Sequence, residues 1–337
     1  MIRSICIAIE RPLVSCHASS ICESPEGELL ACCYAGEVEA EGFPGQVILG
    51  TRYDAPSRMW SPARVWVDVP GRACGNPRIF PSPDGREVWL IAPVNYGEWC
   101  SGGTRLFMKR SRDGGRSWSD LELLLEEKGI LGKNKPLIMD SRIILPVEWE
   151  ARWSAAFLLG DGSDWRLVGD LGREAGARII QPSLVRLGDG TILAYMRTQE
   201  NYIYESRSRD GGNTWSTARP TALSNNNSGI DLARLRSGRL VLAHNPTSLD
   251  STPEKRDPGL PDKMPVGFDT WGARTPLVIS VSADESRSWA VRLTLEAGPG
   301  AFSYPAVIQA RDGAIHVSYT HNRGSIRHVR IEEDELA

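Results

Sequence analysis

The sequence predicts an all-β fold: a six-bladed β-propeller whose ring is closed by its own N-terminal strand. Two independent repeats and one shortfall lead there. The first repeat is a tight turn ending in Trp. SRDGGRSW (Ser111–Trp118) and SRDGGNTW (Ser208–Trp215) match closely, and SADESRSW (Ser282–Trp289) has lost both glycines. TRYDAPSRMW (Thr51–Trp60) and GDGSDW (Gly160–Trp165) are degenerate copies. The second repeat is a polar residue, often followed by Pro, then an apolar strand, a turn and a second apolar strand. It begins at His17, Asn76, Asn134, Gln181, Ser228 and Tyr304. The shortfall is in the sixth copy, which has no Trp turn behind it and ends in IRHVRIE.

One complete unit, Gln181 to Trp215, justifies the strand reading. QPSLVRL runs to a GDG turn, TILAYMR follows, then NYIYES, then the SRDGGNTW turn into a fourth strand. Short strands broken by Asp-Gly and Gly-Gly turns indicate antiparallel hairpins. In each Trp turn the Asp can accept backbone N–H bonds, and Gly can supply a positive φ. Five full units and a sixth lacking its last strand leave one place for Arg3–Glu10, which completes the ring and hides its edges. The predicted blades are about 17–70, 76–125, 134–170, 181–220, 228–295, and 302–332 with 3–10, in a single domain spanning 1–337. Asn245–Gly272 reads as an insertion loop, and Glu332–Ala337 as a frayed tail.

Composition narrows the partners. The 337 residues include 41% hydrophobic ones, enough for a core, and carry a formal net charge of −3. That charge argues against nucleic acid or an anionic membrane as partner. No apolar run approaches the ~20 residues of a spanning helix. MIRSICIAIERPL lacks a long apolar core and a small-residue cleavage site, so it reads as a strand and the expected location is cytoplasmic. All seven cysteines fall in the first hundred residues without a CxxC, which suggests free buried thiols in a reducing compartment. Their spacing suits no zinc site. No cofactor and no metal are expected, and oligomeric state is not legible.

Strand alternation also predicts a site. The start of each first strand, the end of each second and the start of each third share one face of the disc. The Trp turns lie on the other and should be structural. On the site face fall His17, Asn76, Asn134, Lys135, Gln181, Ser228 and Tyr304, joined by Glu37, Glu148, Glu150, Arg197 and His321 from second strands and by Arg274.

The SxDxGxxW turns are the Asp-boxes of the sialidase (neuraminidase) superfamily. Together with GKNKP, QPSL, NNNSGIDLARL, YPAV and YTHNR, they make the chain resemble its bacterial neuraminidase-repeat branch over nearly its whole length. The resemblance implies three arginines that hold a substrate carboxylate, a Tyr nucleophile activated by a Glu, and an Asp acid/base on a first-blade loop. Carried over, Arg197 matches the second arginine, Arg274 the third, and Tyr304 the nucleophile. Three positions depart. CHASS, with His17, stands where the family has its first arginine; Gln181 stands where the activating Glu falls; no acid lies near Tyr319–Thr320. Glu37, Glu39 and Glu41 align loosely with the acid/base loop.

The residues themselves leave more than one chemistry open. Arginine makes planar bidentate contacts to carboxylates, which suits an acidic sugar, although two surface arginines in ordinary ion pairs would read the same. Tyr304 is either a reactive phenol or a core tyrosine with its hydroxyl satisfied. His17, with an ordinary pKa of ~6.5, is either an acid/base or a buried structural histidine. Gln181 can orient but not take a proton. Glu148 and Glu150 alternate on a strand and should face opposite ways, so one of them can supply the missing carboxylate. Asn76, Arg78, Lys133, Lys135 and His321 can extend the substrate-binding set. Three functions fit: an exo-acting glycoside hydrolase on a terminal acidic sugar, a uronate lyase using His17 and Tyr304, and a non-catalytic glycan binder. The partner in each case is an acidic oligosaccharide or glycoconjugate.

Overall fold

A computed structural model of the chain describes residues 1–37, 43–54, 56–97, 102–251 and 271–337. Most of the expected insertion loop, Cys100, Glu39 and Glu41 lie outside the described residues. The architecture is all-β and propeller-like. Each of the six sequence repeats forms an antiparallel meander. The fourth is the most regular: Ile179–Arg186, Ile192–Thr198, Tyr202–Ser208 and Arg219–Ser224 pair in sequence order. The third and fourth meanders join through a single parallel bridge, Ser154 opposite Ile179. In the sixth, Phe302–Gln309, Ile315–His321 and Ser325–Ile331 are completed by Ile2–Ala8, which pairs antiparallel with Ser325–Ile331. The N-terminal strand thus supplies the strand that the sixth repeat lacks.

The buried apolar residues explain the arrangement. Among the described residues they collect between consecutive meanders, not within one. Leu30 and Ile48 of the first pack with Ile79 and Leu90 of the second. Further clusters bridge the second and third, third and fourth, fourth and fifth, and fifth and sixth. A last cluster joins the sixth to the first through Cys6, Ile7, Cys16, Cys33 and Ile326. A sheet buries apolar faces by stacking on its neighbours, so every repeat depends on the next. Cys6, Cys16, Cys22, Cys32, Cys33 and Cys74 are free and buried in these layers, as expected.

The Trp turns are the clasps of that stacking. Asp210 accepts hydrogen bonds from Ser208 Oγ at 2.9 Å, Thr214 N at 2.9 Å and Thr214 Oγ1 at 2.6 Å. Trp215 then stacks on Phe157 of the preceding meander, centroids 3.9 Å apart. Gly212 is required twice over: φ is 88°, and a Cβ there would lie 2.8 Å from Ile144 Cδ1. Trp118 meets Trp66 of the first meander at 5.1 Å, and Trp289 donates to the Tyr195 hydroxyl of the fourth at 3.1 Å.

We predict that Asp210→Ala lowers the melting temperature by several degrees. It should leave kcat of the folded fraction within about twofold, because the turn lies away from the site face. The hydrogen bonds hold the Asp210 carboxyl down at about 2 against an ordinary 3.8. Its contribution is therefore present above pH ~3.8 and lost as pH falls through ~2, so wild type and variant converge in strong acid. Turnover lost in fully folded variant would place the turns in the site.

One expectation fails at the C-terminus. Glu333–Leu336 forms a 3-10 turn, Leu336 is buried among residues of the fifth and sixth meanders, and Arg239 Nη2 holds Glu333 Oε1 at 2.8 Å. The apolar side chain and the ion pair hold the segment that its polar sequence had suggested would fray.

Candidate active site

The site is built on a repeated backbone irregularity. The first strands of the first, fourth and sixth meanders each carry a bulge, between His17 and Ser20, Ile180 and Ser183, and Ser303 and Ala306. At each bulge one residue takes a left-handed conformation: Ala18 at φ 57°, Gln181 at 54° and Tyr304 at 53°. Bulges re-aim side chains, and non-glycine residues at positive φ concentrate at functional sites. The second meander has Asn76 at φ 26° just before its inner strand. In register, therefore, Ala18 and not His17 is the counterpart of Gln181 and Tyr304; His17 stands one residue earlier. Period-two alternation reads through a bulge without seeing it, which is the origin of the shift.

The structure nevertheless brings His17, Gln181, Arg197 and Tyr304 together. Arg197 Nη1 donates to the Tyr304 hydroxyl at 2.5 Å and to Gln181 Oε1 at 3.2 Å. Gln181 Nε2 lies 3.3 Å from the same hydroxyl. The His17 ring packs against the Tyr304 ring at 4.1 Å between centroids. Arg274 lies over the Tyr304 ring at 5.7 Å and over Trp271 at 5.5 Å. His17, Gln181, Arg197, Tyr304 and Arg274 are all buried.

His17 is held well below the ordinary histidine range. Burial is the main cause, reinforced by the charges of Arg323, Arg274, Arg197 and Lys133. It is a neutral imidazole among cations, and neither ring nitrogen has a hydrogen-bond partner within the described protein. A buried polar group left so is rare and calls for an explanation.

Glu148 is the carboxyl of the cluster. Burial pushes it up to about 7, against the pull of Arg78, Arg197 and the Gln181 N–H. Arg78, fully buried, is lowered to about 10 by burial while Glu148 pulls it back up, and it donates to the Pro146 carbonyl at 2.8 Å. Glu150 is diverted. The strand ends at Trp149 and Glu150 opens a 3-10 turn, so alternation no longer applies. Its Oε1 accepts from Gly102 N at 2.6 Å, and its Oε2 from Thr104 Oγ1 at 2.5 Å.

Other expected ligands are occupied elsewhere. Lys135 donates to Asp231 Oδ2 at 2.7 Å and to the Leu232 carbonyl at 2.9 Å. His321 packs on Phe302 at 5.0 Å, with Arg327 and Glu296 as its charged neighbours. Asn76 is buried at the start of the second inner strand. Glu37 is exposed at the end of its strand. His244 is buried against Ser280 Oγ at 2.9 Å.

Sequence reasoning missed three contributors. Arg323, on the turn after Ile315–His321, is the strongest charged influence on His17 and adds a third guanidinium. Asn227 accepts from Arg197 Nε at 2.8 Å. The Trp153 ring lies 5.5 Å from the Arg197 guanidinium. The signals were NNNSGID and YTHNR, whose polar residues are too many for a simple hairpin.

The fold and its Asp-turns define a member of the sialidase superfamily. Residues 27–317 match the model of the BNR repeat-like domain, and the chain belongs to that family. It is 29% identical to the anhydrosialidase of Macrobdella decora over 146 residues, which make up 40% of this chain and only 18% of that protein. Among solved structures it is similar to the Hadza microbial sialidase Hz136, with a TM-score of 0.77, 15% identity, and coverage of 96% of this chain and 66% of that one. It is also similar to the intramolecular trans-sialidase from Ruminococcus gnavus in complex with oseltamivir carboxylate, with a TM-score of 0.72, 15% identity and 95% coverage of both. At such identities the structural likeness speaks for the fold.

Proposed function

We propose that this is a closed six-bladed propeller acting as a sialidase-like, exo-acting glycoside hydrolase on a terminal sugar bearing a carboxylate. The observation that carries the reading is the Tyr304 hydroxyl, 2.5 Å from Arg197 Nη1, in a pocket shared with Arg274 and, beside His17, Arg323. Guanidinium groups in a buried setting suit a carboxylate, and three such charges outnumber that of Glu148. Arg197, Arg274 and Arg323 hold the acid. Tyr304, its oxygen fixed by Gln181 and Arg197, gives up its proton and attacks the anomeric carbon; the glycosidic C–O bond breaks and the aglycone leaves as the alcohol, taking a proton from solvent. Glu148, which shares Arg197 with Tyr304 and titrates near neutrality, serves as the base. Water then cleaves the glycosyl–tyrosine bond. The sialidases among its structural relatives support this reading.

A uronate lyase is the second reading, favoured by one observation: among the described residues, the neutral His17 ring has no hydrogen-bond partner and lies against Tyr304, whose hydroxyl meets Arg197 and Gln181. There His17 takes the proton α to the neutralised carboxylate and Tyr304 protonates the departing oxygen. Product analysis separates the two. A hydrolase releases a saturated acidic sugar from a fluorogenic sialoside; a lyase leaves a 4,5-unsaturated uronate that absorbs in the ultraviolet. Binding without either product would make the protein a glycan-binding module.

For either enzyme, Arg274→Lys keeps the charge and loses the fork. We predict a roughly 10- to 100-fold loss of kcat/KM on the acidic substrate, the scale of charge-assisted hydrogen bonds. A neutral analogue, in which the carboxylate is replaced by an amide, should be little affected. Equal losses on both would remove Arg274 from the clamp.

A further inference from the structure

From the segment Gly132–Pro136, three consecutive side chains reach into three other meanders. Lys133 donates to the Pro305 carbonyl of the sixth, and at 3.4 Å to the Ile230 carbonyl of the fifth. Asn134 Nδ2 donates to the carbonyls of Gln181 at 3.0 Å and Pro182 at 3.1 Å, in the fourth. Lys135 reaches Asp231, which also accepts from Ser183 Oγ at 2.7 Å and Val307 N at 2.8 Å. Lys133 and Asn134 are themselves joined, Nζ to Oδ1, at 2.9 Å.

The carbonyls chosen are not arbitrary. Pro305 follows Tyr304 and Pro182 follows Gln181, so both are the bulge peptides that hold the two left-handed residues. A bulge peptide is unpaired in its own ladder and needs an outside donor. Lys133 also passes directly under the site: its Nζ is 5.9 Å from the Tyr304 ring centroid. Gly229 makes room for it, since a Cβ there would lie 3.2 Å from Gln181 Oε1 and 3.4 Å from the Lys133 stem.

We propose that Lys133 and Asn134 are positioning residues that fix the Tyr304 and Gln181 bulges, and so set where the Tyr304 hydroxyl points. The inference rests on Tyr304 being the reactive group, but its geometric content does not. Lys133 is not a structural ion pair: the carboxylate in the region, Asp231, is bonded to Lys135, and the Lys133 ammonium is satisfied by carbonyls and Asn134. Burial lowers it to about 7, with Asp231 opposing and Lys135 and Arg197 adding to the effect. Its burial is therefore not a stabilising feature that folding alone would favour.

The test is Lys133→Met with 3-fluorotyrosine incorporated at position 304. Wild type should give one sharp fluorine resonance. The variant should melt below wild type, because the buried Pro305 and Ile230 carbonyls lose their donor, and in the folded protein its resonance should shift or split. On the acidic glycoside that wild type turns over, kcat should fall about 10²-fold, as for a small misplacement of a reacting group. KM should move little, since the arginine clamp is untouched. Should Lys133→Met fail to fold, Asn134→Ala is expected to move the same resonance by releasing the Gln181 bulge. An unchanged fluorine line in every folded variant overturns the proposal. A moved line in a protein that turns over no acidic glycoside would leave the positioning role standing and sink the enzymatic reading instead.

Discussion

Tyr304→Phe should reduce turnover by about 10²- to 10⁴-fold, the range for losing a group that transfers a proton or attacks in the rate-limiting step. The substitution removes one oxygen and leaves the ring, which keeps its contact with His17 and its place under Arg274. Arg197 retains Asn227 and Gln181 as partners, so the clamp should hold an acidic monosaccharide with little change in Kd. The split between lost kcat and kept affinity is the informative result. Both enzymatic readings predict it. Turnover by Tyr304→Phe within tenfold of wild type would mean that the buried hydroxyl is only a satisfied core tyrosine.

Glu148→Gln carries the second large effect and separates hydrolase from lyase. As the base of a hydrolase, Glu148 acts when ionised, so activity should rise with pH through about 7, where burial has moved its carboxyl. The Gln variant should lose about 10²- to 10⁴-fold and that rising limb together. If His17 is the base of a lyase, Glu148→Gln should keep most of its activity and His17→Ala should lose it. Stability supplies a control independent of substrate. A carboxyl raised from an ordinary 4.5 to about 7 contributes stability below pH ~4.5 that is lost as pH rises through ~7. Denaturant titrations at pH 5 and pH 8 should show wild type losing stability relative to the variant as pH rises, the opposing contribution of the buried histidines cancelling in that difference. A difference between wild type and variant that does not change from pH 5 to pH 8 would mean that Glu148 does not titrate in this range and is not the base.

What the sequence made legible was local. The Trp turns, the order of strands within a repeat and the need for an N-terminal strand to complete the sixth could all be read, because turn chemistry and strand period are short-range signals. Tyr304, Gln181 and Arg197 were placed on one face by the same alternation. The rest depends on contacts made only when distant repeats meet. Arg323 sits on a hairpin turn of the sixth repeat and reaches His17 only because the sixth packs on the first. Lys133 and Lys135 looked like anion-binding charge; each is committed to carbonyls or to Asp231 in repeats roughly a hundred residues or more away. Glu150 was lost to a backbone turn that strand alternation does not foresee.

The strand Ile2–Ala8 has a temporal consequence. Its hydrogen-bond partners lie in Ser325–Ile331, and Ser4 meets His328 across 324 positions. Of the strands in the propeller-like stack, Ile2–Ala8 comes earliest in the chain and finds its mate last. Until then Ser325–Ile331 presents an open edge and the Cys-rich layer over Cys6 and Cys16 is uncovered. Such closure is the costliest kind of contact order, since the whole intervening chain must be arranged before the final ladder contributes anything. The ladder of Ile2–Ala8 on Ser325–Ile331 therefore couples the first and sixth repeats, and losing it would expose both the edge and the buried thiols beneath it.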